Sequence, residues 1–165
     1  MLCVYRKIKE SRLDITKIIG HTRAIITSPT TNKRSILFYV HPCYKGEQWY
    51  DWAMVHFEET NNLGHKVENY YPSRLLGFNT TNGTHEAVIQ CSINPIDWNN
   101  IQQNFIVETQ LGTNFHVSFL IAPIDSIVNP PCVFPDDGSN QMNKYFVVLP
   151  KRNWSWYFGN NIHFN

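Results

Sequence analysis

The stretch YYPSRLLGFNTTNGTHEAVIQCS (residues 70–92) contains the strongest short turn signal in the chain. Asn82-Gly83 lies between two segments rich in apolar and β-branched residues. This dipeptide favours a tight two-residue hairpin turn, because both central positions of such a turn need a positive φ. The sequence therefore predicts that residues 73–79 pair with residues 85–92 as antiparallel strands.

Alternation of apolar and polar residues with a period of two extends the β pattern to both sides of this hairpin. The polar run EETNNLGHKVEN (58–69) predicts a loop, and IDWNNIQQ (96–103) a single helical turn. Pro42 is expected to end or kink the strand that precedes it. The further predicted strands are RAIITS (23–28), RSILFYVHP (34–42), WAMVHF (52–57), FIVETQL (105–111), NFHVSFLIAP (114–123) and KYFVVLP (144–150).

About eight short strands with little helix predict an all-β domain, and 165 residues are enough to bury a core. We expect a small, partly open antiparallel barrel with one or two short helical turns, because closure removes exposed strand edges. The predicted organisation is a basic N-terminal arm over residues 1–22, a β-barrel domain over residues 23–158, and a tail over residues 159–165.

Charge is distributed unevenly along the chain. Residues 1–45 carry nine basic and two acidic residues, whereas residues 46–143 carry two basic and eleven acidic ones. A basic arm of this kind would bind DNA or RNA, or would dock on the acidic body of the same chain. Lys151 and Arg152 precede several aromatic residues that would stack on single strands. The candidate nucleic-acid contacts are Arg6, Lys7, Lys9, Arg12, Lys17, Lys151 and Arg152.

The four cysteines are widely spaced and form no C-x-x-C pair. Reduced thiols and an intracellular, nuclear location are therefore expected. The N-terminus has no signal-like apolar core, and no segment approaches the roughly 20 apolar residues that span a bilayer. We expect no membrane association.

Three segments resemble small chromatin-reader barrels in their order along the chain: YDWAMVHFEE, YYPSRLLGF and EAVIQCS. Tudor, PWWP and bromo-adjacent homology (BAH) domains share this order of strand, polar loop and returning hairpin. Further on, APIDSIVNPPCVFPD followed by KYFVVLPKRNW resembles the C-terminal β module of some transposon-encoded proteins. The two resemblances cover residues 47–158. They imply a non-catalytic accessory domain of a transposon- or chromatin-associated protein, with further domains in a larger parent chain.

An aromatic cage is the ligand site that this resemblance implies. A methylated ammonium group binds over aromatic faces by cation–π attraction, and a nearby carboxylate such as Asp51 would assist it. The candidate rim residues are Trp49, Tyr50, Trp52 and Tyr71. The expected ligand is then a basic or methylated peptide, histone-like or of another kind. The alternative is that these rings only fill a β core.

No residue pattern predicts catalysis, a metal or a cofactor. The sequence lacks a G-x-S-x-G elbow, a glycine-rich phosphate loop and paired zinc ligands at close spacing. A metal-dependent hydrolase or nuclease remains the alternative if three or more candidate ligands converge in one cleft. Those candidates are His41, Cys43, Asp51, His56, His85, Cys91, His116 and Cys132. A purely structural fragment of a larger protein is the third possibility.

Overall fold

The structure is a computed structural model that describes residues 9–10, 22–27, 35–97, 106–111, 119–128, 130–138 and 144–149. About 72% of these residues are in β-strands and none of them is in an α-helix, which confirms the predicted all-β class at that level. A 3₁₀ turn spans Ile124–Ser126. The strands are β1 (Lys9–Glu10), β2 (Arg23–Thr27), β3 (Ser35–Tyr44), β4 (Glu47–Tyr50), β5 (Trp52–Thr60), β6 (Lys66–Thr81), β7 (Thr84–Cys91), β8 (Ile106–Gln110), β9 (Phe119–Pro123), β10 (Cys132–Pro135) and β11 (Lys144–Val148).

The strands form three antiparallel sheets. A five-stranded central sheet has the order β1-β9-β7-β6-β5, and two three-stranded sheets have the orders β2-β3-β4 and β10-β11-β8. The prediction of a barrel needs correction here, because the described strands form no closed barrel. The strand count also differs, with eleven described strands in place of about eight. Closure fails because the chain moves into separate sheets, each of which keeps its own edge strands.

The predicted hairpin at Asn82-Gly83 is confirmed. β6 and β7 pair from Ser73↔Cys91 to Thr81↔Thr84, so only two residues form the turn. Asn82 has φ 51° and Gly83 has φ 77°, the positive values that this turn requires.

The central sheet buries hydrophobic side chains on both faces. On one face, Val55 and Phe57 pack in a cluster with residues of the β2-β3-β4 sheet such as Phe38. On the other face, Met54 packs with Val147 and its neighbours near the β10-β11-β8 sheet. Successive residues of a strand point to opposite faces, so β5 supplies both clusters by simple alternation.

The register of β6 against β7 shifts between Leu75 and Gly77. One extra residue in a strand reverses which residues face each side of the sheet. As a result, Leu75 and Phe78 both belong to the same hydrophobic cluster although they are three residues apart.

The polar segment 58–69 is a hairpin, not the loop predicted from its composition. β5 continues to Thr60 and β6 begins at Lys66, so the turn is only five residues long. Asn61 closes this turn, since its side-chain oxygen accepts hydrogen bonds from the backbone N–H groups of Leu63 and His65. The polar composition reflects a long solvent-facing ladder, with an ion pair between Lys66 and Glu58 at 2.6 Å.

The other strand predictions agree with the structure where it describes them. β2, β8, β9 and β11 lie within the predicted segments. β3 extends beyond its predicted end at Pro42 to Tyr44, with a register shift between His41 and Tyr44. Most of the predicted helical turn at 96–103 lies outside the described residues. Within the predicted arm, β1 pairs with β9 through Lys9↔Ile121 and Glu10↔Leu120. The described part of the chain contains no helix long and apolar enough to cross a membrane.

Candidate functional site

A cleft of about 490 Å³ lies where the chain passes from β4 to β5. Both outer sheets and the central sheet contribute to its walls. Five of its lining residues are aromatic, two are charged and two are prolines. The lining residues are Leu37, Phe38, Trp49, Tyr50, Asp51, Trp52, Arg74, Pro130, Pro131, Val133 and Tyr145.

Asp51 lines this cleft and connects two of the sheets. Its backbone N–H donates to the Tyr39 carbonyl at 3.0 Å, as in a continuation of β4, but its own carbonyl accepts from Leu75 N–H of the central sheet at 2.8 Å. Because the Asp51 carbonyl bonds to the central sheet, it does not accept from the Tyr39 backbone N–H as a β4 residue would. The Asp51 carboxylate takes its place, and Oδ2 accepts from the Tyr39 N–H at 2.6 Å. Oδ1 accepts from Trp49 Nε1 at 3.1 Å. Both carboxylate oxygens are therefore engaged in holding the cleft together.

Trp49 is the most exposed of the aromatic side chains at the cleft, with 53% of its surface accessible. Its indole N–H is fixed by Asp51, and its ring meets Tyr44 edge to face at 6.1 Å. The ring is held in place while most of its surface stays in solvent.

Tyr50 already has a cation over its ring. The guanidinium carbon of Arg74 lies 5.1 Å from the Tyr50 ring centroid, within the range of a cation–π interaction. Arg74 reaches this position from β6, where it pairs with Trp52 across the β5–β6 ladder. One aromatic face of the cleft is thus shared with a basic side chain of the protein itself.

Trp52 and Tyr145 are two further aromatic residues that line the cleft. Their ring centroids are 4.8 Å apart in an edge-to-face arrangement. β5 supplies Trp52 and β11 supplies Tyr145, so this pair links the central sheet to the β10-β11-β8 sheet. Contacts of this geometry add about 0.5–1.5 kcal/mol to the burial of the rings.

Three of the four aromatic residues predicted from the sequence line the cleft, and Tyr71 does not. Tyr71 is buried in the hydrophobic cluster on the other face of the central sheet, edge to face with Phe57 at 5.0 Å. Its hydroxyl donates to Oε1 of Glu59 at 2.9 Å. Glu59 is itself buried, and the Asn69 amide donates to its other oxygen.

The basic residues predicted to contact nucleic acid fall almost entirely outside the described residues. Of the seven, the structure describes only the backbone of Lys9, in β1. The other six are Arg6, Lys7, Arg12, Lys17, Lys151 and Arg152.

The histidines and cysteines of the described segments do not gather around one point. No group of three or more His, Cys, Asp or Glu side chains there is arranged to hold a metal ion. Cys43, Cys91 and Cys132 form no disulfide bond with one another. His116 and Cys3 lie outside the described residues.

A smaller cavity of about 170 Å³ lies beside β8 and is lined by Pro72, Ile96, Thr109, Lys144 and their neighbours. Lys144 Nζ pairs with Glu108 Oε1 at 2.7 Å, and this hydrogen bond raises the pKa of the lysine above its usual 10.5. The Thr109 hydroxyl is buried and makes no hydrogen bond among the described residues.

Tyr70 is the tyrosine of β6 that faces the same side as Trp52 and Arg74. Its ring packs against His56 at a centroid distance of 5.1 Å, and His56 Nε2 lies 3.7 Å from Glu68 Oε2. Burial raises the pKa of the Tyr70 phenol above 10.0, and the negative charge of Glu68 raises it further.

Comparisons with protein-family models, with curated proteins and with solved structures give no match to this chain.

The cleft residues that the sequence pattern did not indicate come from other elements. They are Leu37 and Phe38 from β3, Arg74 from β6, Pro130 and Pro131 just before β10, Val133 from β10, and Tyr145 from β11. A signal for Arg74 was present. The hairpin prediction puts residues of β6 beside residues of β5, and Arg74 belongs to the alternating set that shares a face with Trp52. The contribution of β10 and β11 depends on sheet packing, which the local pattern does not contain.

Proposed function

We propose that this chain is a non-enzymatic binding module whose cleft takes a basic or methylated side chain of a peptide. The observation that carries the proposal is the arrangement of Trp49, Tyr50, Trp52 and Tyr145 around one cleft of about 490 Å³. The resemblance to chromatin readers and transposon-encoded modules supports a role as an accessory domain in a larger protein.

The physical support lies in the ring faces and the charge of the surrounding chain. Arg74 over Tyr50 is an internal example of the contact that a ligand lysine or arginine would make. Residues 46–143, which include most of the cleft, carry a net charge of −9. An acidic body attracts a basic peptide at long range and increases its rate of association.

The test is a calorimetric titration with a histone-like peptide that contains one trimethyl-lysine. We expect Trp52→Ala to weaken binding by about tenfold, since a desolvated cation–π contact contributes roughly 1–2 kcal/mol. The peptide in which a carbon atom replaces the quaternary nitrogen should lose affinity by a similar factor, because it keeps the shape and removes the charge.

Phe134→Ala is the matched control. Phe134 is an exposed aromatic side chain of β10 that does not line the cleft, so its removal should leave the affinity unchanged. Equal and weak binding by the parent protein, Trp52→Ala and Phe134→Ala would remove the proposal.

Nucleic-acid binding by the basic residues of the arm is a separate prediction that rests on the sequence alone. Neutralising phosphates releases counterions, so the affinity for DNA should fall steeply as salt rises. A titration of a short DNA duplex between roughly 50 and 200 mM salt measures the slope. A flat response, or no binding at the lowest salt, would count against this prediction.

A further inference from the structure

The hydrogen bonds around β3 show which way each of its backbone groups points. Val40 N–H donates to the Thr22 carbonyl on the β2 side, and the Tyr39 carbonyl accepts from Asp51 N–H on the opposite side. In an antiparallel strand the N–H and C=O of one residue point the same way, and adjacent residues alternate. Even-numbered residues of this strand therefore bond to β2, and odd-numbered residues face the β4 side.

β4 leaves this side of β3 before the ladder is complete. The β3–β4 register begins at Val40↔Tyr50, and Asp51 extends it by one residue before the chain turns into β5. Leu37 pairs with Ile25 of β2 in register, but its own N–H and C=O face away from β2. No described strand pairs with residues 35–38 on that side.

The open edge at Leu37 adjoins the aromatic cleft. Leu37 and Phe38 line the cleft together with Asp51 and Trp52. An extended segment placed along this edge would continue the line of β4 and would have the cleft rings beside it. Leu37 is also 42% exposed, so its side chain is accessible to a segment that binds beside it.

We infer that the ligand of the cleft binds as an added β-strand along residues 35–38 of β3, with its side chains meeting the aromatic rings. This inference rests on the proposed function and specifies how the peptide is held. The occupant is an extended basic peptide from a partner, which the net charge of −9 over residues 46–143 favours. Strand addition supplies affinity through main-chain hydrogen bonds, and neighbouring pockets supply specificity.

The first experiment uses a seven-residue peptide of alternating valine and lysine, acetylated and amidated, with the central lysine trimethylated. Two derivatives carry two N-methyl groups each, one pair on the valines that flank the central lysine and the other pair on the two outer lysines. Only one of these sets can face β3 in a paired strand. We expect one derivative to lose about tenfold or more in affinity and the other to stay within about threefold of the parent peptide.

The second experiment changes the edge of the protein. In Leu37→Pro the missing N–H and the ring both lie on the open side, so the pairing with β2 is kept and the added strand is blocked. Leu37→Thr is the matched control, because it removes the same leucine side chain and keeps the N–H. We expect Leu37→Pro to weaken peptide binding by about tenfold and Leu37→Thr by less than threefold, with both variants checked for folding by circular dichroism.

The outcomes separate the two proposals. If Trp52→Ala weakens binding but the two N-methyl derivatives bind alike, the cleft binds the peptide and strand addition is overturned. If the parent protein does not bind the peptide, the proposed function fails, and strand addition fails with it. If sedimentation shows a dimer that Leu37→Pro dissociates, the occupant is a second copy and the partner peptide is wrong. An alternating N-methyl effect in a monomer supports the inference.

Discussion

Tyr71 and Trp52 belong to the same β5–β6 hairpin, but they lie on opposite faces of the central sheet. Tyr71 is enclosed in the core and its hydroxyl donates to a buried carboxylate, whereas Trp52 lines the cleft against Tyr145. Both residues are large and aromatic, and both lie in paired strands of one sheet. What separates them is their phase in the strand, since the side-chain period of two assigns each residue to one face.

The β5–β6 register makes this assignment explicit. Trp52 pairs with Arg74 and His56 pairs with Tyr70 on one face, and Val55 pairs with Tyr71 on the other. Tyr71 is therefore part of the core, although its neighbour Tyr70 lies on the same face of the sheet as Trp52. Substitutions at Tyr71 should change stability, and substitutions at the cleft should change binding.

The largest expected effect is on stability, from Tyr71→Ala. Removing a buried aromatic side chain typically costs about 3–5 kcal/mol, because the cavity does not close. The free energy of unfolding in urea measures this loss. Trp49→Ala is the control on the cleft side and should cost less than about 1 kcal/mol, since Trp49 is half exposed. A larger loss from Trp49→Ala than from Tyr71→Ala would reverse the comparison.

A smaller change at the same position isolates the hydroxyl. Tyr71→Phe keeps the ring against Phe57 and removes the donor to Glu59, which should cost about 1–3 kcal/mol because a buried carboxylate oxygen loses its partner. The double change with Glu59→Gln should cost less than the sum of the single changes. Additive costs in that double-mutant cycle would show that the two groups do not interact.

Much of the fold could be predicted from the sequence, because the information is local. The Asn82-Gly83 turn depends on the residues of a single hairpin, and the alternation in β3 and β5 depends on the residues of each strand. The separation of the β2-β3-β4 sheet from the central sheet could not be predicted, because it depends on Asp51. Its carboxylate stands in for a strand partner while its carbonyl bonds to another sheet, and no spacing in the sequence signals that exchange.

The candidate site could be predicted only in part, for the same reason. Trp49, Tyr50 and Trp52 are neighbours in sequence, so any fold keeps them close. Aromatic character alone assigns Tyr71 to the rim, whereas the alternation of side chains along β6 assigns it to the face opposite Arg74. Tyr145 comes from β11, more than ninety residues after Trp52, and only the packing of one sheet on another brings them together.

Arg74 offers a smaller effect that sharpens the cleft side of the comparison. If its guanidinium competes with a ligand for the Tyr50 face, Arg74→Gln should tighten binding of the trimethyl-lysine peptide by about two- to fivefold, in line with roughly 0.5–1 kcal/mol for an exposed cation–π contact. Arg74→Lys keeps a cation at this position and should change the affinity less. Calorimetry measures both. Weaker binding in Arg74→Gln than in Arg74→Lys would mean that the arginine assists the ligand.

The smallest expected effect distinguishes the adjacent tyrosines of β6 by pH. The pKa of Tyr70 is raised in the folded state, first by burial and then by Glu68, so folding favours its neutral phenol. That contribution is fully present below pH 10.0, the usual pKa of a free phenol, and is lost as pH rises through the folded pKa. Stability in urea should therefore decline between about pH 9 and 11, and Tyr70→Phe should decline less steeply than the parent protein. The raised pKa of Lys144 acts in the same direction, so Lys144→Gln is measured alongside to subtract its share. A decline that neither substitution reduces would show that folding does not raise the pKa of Tyr70.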